Sequence, residues 1–268
     1  MKKTIISCVL FLTAVTAFSQ TPMKTAAEAK LSASDLAVKI ADRILATTTY
    51  EFKNTKTGKT YKSVKNLPLD MNVKVACKYN NWHYTNGVTH IALMELADKT
   101  GAKKYDDYVL KNMNFVFNEG NLDFFKKQYE QAMKNEGWYG VRKLSWHMIF
   151  RGKRLDDNGP MGASLIDLQM KHPNNSFLNY INETAEHLNY GEPRLADGTI
   201  ARIWPHENTI WADDAFMAIS FLARMAKMTG DMSYINDAAN QVIKYHKYLW
   251  CPEKRILYHC YHTDTDEH

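Results

Sequence analysis

The chain has 268 residues and a formal charge of +5, with 45% hydrophobic and 12% aromatic side chains and only 12 Gly and 7 Pro. Those proportions exclude a disordered chain and suit a helical globular protein better than an all-β one. The basic residues are scattered rather than clustered, which argues against a nucleic-acid-binding surface and leaves room for small anionic substrates.

Lys2 and Lys3 precede an apolar run over residues 5–15, and Ala17-Phe18-Ser19 supplies the small residues of a cleavage site. This pattern reads as a secretory signal peptide over residues 1–19, cut before Gln20, and implies a periplasmic or secreted protein. The run is too short for a permanent membrane span. Residues 20–268 then form one domain with three cysteines, Cys77, Cys251 and Cys260. An odd number excludes a complete intrachain disulfide framework. Cys251 and Cys260 either meet across a short turn or remain free thiols. No Cys or His spacing fits a zinc site.

Ser34 is read as the N-cap of a first helix whose apolar face holds Leu36, Ile40 and Ile44. Residues 50–80 are polar and irregular. Trp82-His83-Tyr84-Thr85-Asn86-Gly87 feeds a helix through Ile91 and Leu96 that stops at Thr100-Gly101, and another runs from Lys104-Tyr105 through Phe117. Residues 119–135 look helical. Residues 137–155 are rich in Trp, Arg and His. The stretch 195–202 reads as a β-hairpin turn, and residues 256–259 as a short strand.

An internal repeat accompanies these elements. Ala97-Asp98-Lys99-Thr100-Gly101 followed by Tyr105 is echoed by Ala226-Lys227-Met228-Thr229-Gly230 followed by Tyr234, and more weakly by Met170-Lys171-His172-Pro173 followed by Phe177. Each copy is a helix, a tight turn and a returning helix, the unit of a solenoid or of a closed α/α toroid. The uneven spacing favours the toroid, here with about seven or eight helices. In such a fold equivalent helices run parallel, and their starts share one mouth.

Two acidic pairs open two of these helices: Asp156-Asp157 before Asn158-Gly159-Pro160, and Asp213-Asp214 after Trp211. The plain explanation is capping, since aspartate suits a helix N-terminus. Pro160 fits a first turn, with Asp157 or Asn158 as cap. In a toroid the same carboxylates would also converge on one cavity, beside Trp204, Trp211 and His206. Aromatic faces stack on sugar rings and a tuned carboxyl donates and accepts protons.

The motifs containing Trp82 to Gly87, Asp156 to Gly162, Leu195 to Thr199, Trp211 to Asp214, and Leu257-Tyr258-His259 occur in order. Together they resemble the unsaturated rhamnogalacturonyl hydrolases of glycoside hydrolase family 105, relatives of the family 88 unsaturated glucuronyl hydrolases. The resemblance implies an (α/α)6 barrel without metal or organic cofactor. Its substrate would be an acidic oligosaccharide, left by a pectin or other polysaccharide lyase, with a 4,5-unsaturated uronic acid at its non-reducing end. An aspartate would protonate C4, water would add at C5, and the hemiketal would collapse. The resemblance assigns Asp213 as general acid/base and Asp157 as partner carboxylate. Trp211 stacks on the sugar, Tyr84 lines the pocket and His259 contacts substrate. Asp156 and Asp214 fall to capping or support. Family members continue through a Trp-Gly-Arg, Asn-Gly-Trp type segment not found here, so the barrel is expected to be partial. Two other readings stand beside the enzyme: an inactive or carbohydrate-binding remnant, and a helical scaffold.

Overall fold

A computed structural model describes residues 32–152 and 154–268. The signal-peptide reading of residues 1–19 therefore lies outside the described residues. The chain divides into two units between Arg43 and Ile44. Helix α1 (Ala33–Thr47) begins in the first. Its start is capped by Ser32, whose hydroxyl accepts the Asp35 N–H at 3.1 Å while the Asp35 carboxylate accepts the Ser32 N–H at 3.2 Å. This reciprocal box replaces the expected cap at Ser34.

In the second unit, the segment expected to be irregular contains a small antiparallel sheet. Strands β1 (Phe52–Asn54), β2 (Thr60–Tyr61) and β3 (Val73–Val75) lie in the order β2-β1-β3. Two or three residues per strand are too few to show a period, although Phe52, Val73 and Val75 are all buried. Helices α2 (Tyr84–Thr100), α3 (Lys104–Val116), α4 (Glu119–Val141), α5 (Met148–Arg151), α6 (Leu155–Lys171) and α7 (Asn175–Glu186) follow. Strand β4 (Thr209–Trp211) then leads directly into α8 (Ala212–Thr229), and α9 (Met232–Leu249) returns. Short strands β5 (Trp250–Cys251), β6 (Ile256–Leu257) and β7 (Cys260–His262) complete the order.

The repeated turns are physically alike. Gly101 and Gly230 both adopt left-handed backbone, with φ of 70° and 75°, and each donates its N–H to the carbonyl four residues back, Ala97 and Ala226. A side chain at that φ is disfavoured, which explains the glycine. The weaker third copy differs: α6 ends at His172 with φ −137°, and Asn174 caps α7 by accepting the Ser176 N–H.

Helix α6 is the centre of the unit. Met161, Ala163, Leu165, Ile166 and Leu168 have no exposed surface, as expected of a helix surrounded by others. Each such large apolar side chain contributes about 1.5–3 kcal/mol by leaving water. It packs between α2 and α8 at glycines. A Cβ on Gly87 of α2 would collide with the Pro160 backbone, and one on Gly159 would lie 2.5 Å from the Met217 carbonyl oxygen of α8. A Cβ on Gly162 would meet the Phe221 ring at 2.8 Å. The pairs 159 with 217 and 162 with 221 advance together, so α6 and α8 are parallel. Residues 82 with 157 and 87 with 160 give the same sense for α2 and α6. With α3, α7 and α9 packed against α2, α6 and α8, the result is an all-α toroid architecture. The starts of the three parallel helices lie side by side, as the repeat implied.

Candidate active site

At these helix starts the acidic pairs do not act as caps. The N-caps of α6 and α8 are Arg154 and Trp211, neither with a side-chain cap bond. Helix α6 begins at Leu155, earlier than a cap at Asp157 or Asn158 would place it, so Pro160 lies beyond the first turn. Instead, the second aspartate of each pair is buried against an arginine. Asp157 has no exposed surface and forms a two-pronged pair with Arg151. Asp214 takes Arg202 at 2.7 and 2.8 Å. Burial raises both carboxyls above the usual carboxylate range, against the pull of the guanidinium.

The first aspartates face outward. Asp213, its side chain 44% exposed, meets His259 Nε2 at 3.1 Å. Chain geometry produces this contact. Strands β4 and β7 pair antiparallel with Trp211 opposite Cys260, and the Ala212 N–H donates to the His259 carbonyl. The His259 ring also stands edge-on to Trp211, centroids 4.9 Å apart. Asp156 lies 3.6 Å from Arg202. Arg202 therefore spans the mouth: it bonds Asp214, approaches Asp156, and covers the Trp211 ring at 4.3 Å. A backbone bridge between Arg202 and Thr209 holds it there. The hairpin that carries it is fixed to α9 by Arg194–Asp237, by Gln241 accepting the Ile200 N–H, and by the Tyr245 hydroxyl donating to the Ile200 carbonyl.

Beside this chain of contacts is a cavity of about 200 Å³. Its walls include Arg154, Asp156, His187, Glu192, Arg202, Trp204 and Asp214. Trp204 is 59% exposed, with the Arg154 guanidinium 4.6 Å over its ring. Arg154 makes no ion pair with any described residue. Tyr84 opens α2, half-buried against His83 at 4.5 Å. His206 lies over the β4–β7 ribbon, its ring 5.6 Å from His262, and does not line the cavity.

The structure thus brings together Asp213, His259 and Trp211 beside Arg202, outside the cavity wall, and places Trp204 in that wall. It seats Asp157 in an ion pair beneath, and turns Asp156 to the cavity in its place. Cys77, Cys251 and Cys260 are free, so the Cys251–Cys260 pairing left open by the sequence is not formed. Among the described residues no group of three His, Cys, Asp or Glu side chains could hold a metal ion, and no helix is long and apolar enough to cross a membrane.

Sequence reasoning did not single out Glu192, His187 or Arg202 for chemistry. His187 opens a π-helical turn over His187–Gly191 and Glu192 closes it, its N–H donating to the His187 carbonyl, while Arg202 comes from the hairpin beyond. Such turns recur at functional sites, but the only local signal was the Gly191-Glu192-Pro193 cluster.

Parallel helices opening on a carboxylate-, arginine- and tryptophan-lined mouth define the class, an all-α toroid. A model of glycosyl hydrolase family 88 matches residues 56–268, and the chain belongs to that family. No curated protein matches it. Solved structures share the fold. A possible family 105 member from Salmonella enterica serovar Paratyphi A aligns at 15% identity and TM-score 0.56, over 92% of this chain and 56% of that one. One from Klebsiella pneumoniae aligns at 15% identity and TM-score 0.55, over 92% and 56%. The family 105 glycoside hydrolase of C. acetobutylicum aligns at 21% identity and TM-score 0.54, over 87% and 50%. The chain thus spans about half the length of these relatives.

Proposed function

We propose that this chain belongs to a glycoside hydrolase that removes a 4,5-unsaturated uronic acid from the non-reducing end of pectin-derived rhamnogalacturonan oligosaccharides, and that it acts after export to the periplasm or beyond. The observation that carries the reading is Asp213, solvent-reachable and paired with His259 beside Trp211 and the Arg202 guanidinium that covers its ring. Asp213 delivers a proton to C4 of the enol ether. The positive charge at C5, shared with the ring oxygen, is quenched by water whose proton returns to Asp213 or to Asp156. The C5 hemiketal opens to a ketone, and the hemiacetal left at C1 expels the shortened sugar. Trp211 and Trp204 offer stacking faces, Tyr84 and His259 edge the sugar, and Arg154 is free to meet the uronate carboxylate. Asp157 acts from below by fixing Arg151 and the start of α6, and His206 lies further out along the same ribbon.

The test is loss of ultraviolet absorbance and release of free sugar from a lyase-generated unsaturated rhamnogalacturonan disaccharide, with sugar release from its saturated counterpart as control. Turnover of the unsaturated sugar alone is expected, and equal turnover of both would sink the reading. A second reading, binding without turnover, is favoured by Asp157 and Asp214 both being taken up by arginines. It expects calorimetric binding of the disaccharide with absorbance unchanged.

A further inference from the structure

Glu192 is a carboxyl without a cation of its own. Three acidic side chains edge the cavity: Asp156 from α6, Asp214 from α8, and Glu192 after the π-helical turn. Asp214 is bonded by Arg202, which also approaches Asp156 at 3.6 Å. Arg194, the guanidinium next in sequence, is committed to Asp237 by bonds of 3.0 and 2.8 Å. Glu192, its side chain 7% exposed, is left with His187, whose Nε2 lies 2.9 Å from its Oε2. A carboxylate and a bare ring nitrogen repel, so that contact contains a proton. Three acidic side chains against the two guanidiniums of the wall, Arg154 and Arg202, favour placing it on the carboxyl that neither pairs with. Burial and the Asp214 charge together push the Glu192 carboxyl up to about 8, with Arg194 and Arg202 opposing and Asp156 adding to the rise.

We propose that Glu192, hydrogen-bonded to His187, is a second proton donor of this site, which protonates the departing sugar oxygen when the hydrated uronate comes apart. The inference rests on the hydration reading above and deepens it. Hydration at C5 consumes one proton at C4 and returns one from water, so it leaves nothing for the later step. When the C1 hemiacetal collapses, the bond from C1 to the bridging oxygen breaks, that oxygen takes the Glu192 proton, and the C1 hydroxyl loses its own proton to water as the aldehyde forms. Glu192 is then recharged from solvent through His187, whose side chain is 19% exposed. Acid help of this kind is typically worth on the order of a hundredfold or more.

The experiment follows two signals in rapid-quench time courses on the unsaturated disaccharide: absorbance, which reports hydration, and free rhamnose, which reports release. In the unaltered protein release keeps pace with absorbance loss. In Glu192→Gln the ratio of release to absorbance loss should fall about a hundredfold and recover when a small carboxylic acid buffer is added. Glu192→Asp, which withdraws the acid by one methylene, should show a smaller lag and guards against a misfolded Gln variant. Release locked to absorbance loss in both variants, whatever their absolute rates, overturns the role of Glu192 while leaving hydration intact. Absence of absorbance loss in the unaltered protein overturns the hydration reading, and this role with it.

Discussion

Neighbouring residues on a helix point about 100° apart, so an Asp-Asp pair at a helix start cannot turn both carboxylates the same way. Here both pairs resolve alike, with the first aspartate outward and the second buried on an arginine. Asp213→Asn is therefore expected to lower turnover about a hundredfold or more with little change in melting temperature. Asp157→Ala should leave the half-buried Arg151 uncompensated and cost up to roughly 3–5 kcal/mol in a urea titration. If Asp157→Ala were as stable as the unaltered protein, the buried pair would not have the structural part given to it. Glu192 supplies a pH test of stability. Its carboxyl rises from 4.5 to about 8 on folding, so between those values the folded state binds more protons than the unfolded one, and stability falls as pH rises. Glu192→Gln should flatten that part of the profile of urea midpoint against pH, whereas an unchanged slope would count against a protonated Glu192. In the sequence, Trp211 and the following apolar helix mark the position of Asp213 at a helix start. The sequence could not say which member of each pair faces inward, since that depends on Arg151 and Arg202 arriving from elsewhere.

At the scale of elements, the glycines at helix crossings make the parallel starts possible. Gly159→Ala would press a methyl onto the Met217 carbonyl oxygen of α8, 2.5 Å away, and overpacking of this sort costs about 1–3 kcal/mol. A thermal melt should register the loss. Gly58 meets nothing within 4 Å but has φ +75°, so Gly58→Ala is strained by backbone alone and should cost about 1–2 kcal/mol. The helical hairpins were legible because the Ala, Thr and Gly that make the turn recur at Gly101 and Gly230. The sheet of β1 to β3 was not, its strands being shorter than any period. Nor was the π-helical turn at His187–Gly191, a continuation of α7 that no residue pattern announces, and it is this turn that carries Glu192 to the cavity.

For the whole molecule, the fold reading rested on a topological consequence: equivalent helices of a toroid run parallel, so separate acidic motifs meet. The close approaches of α2, α6 and α8 bear this out, and family 88 membership across residues 56–268 agrees with it. The central claim concerns what that shared mouth does, namely hydration of a vinyl ether with Asp213 as proton donor rather than displacement at the anomeric carbon. The direct measurement compares initial rates of absorbance loss and sugar release from the unsaturated disaccharide, for the unaltered protein and for Asp213→Asn. The account predicts that absorbance disappears no later than sugar is released, and that both fall about a hundredfold or more in the variant. Sugar released while the absorbance persists, or an Asp213→Asn variant as fast as the unaltered protein, would contradict it.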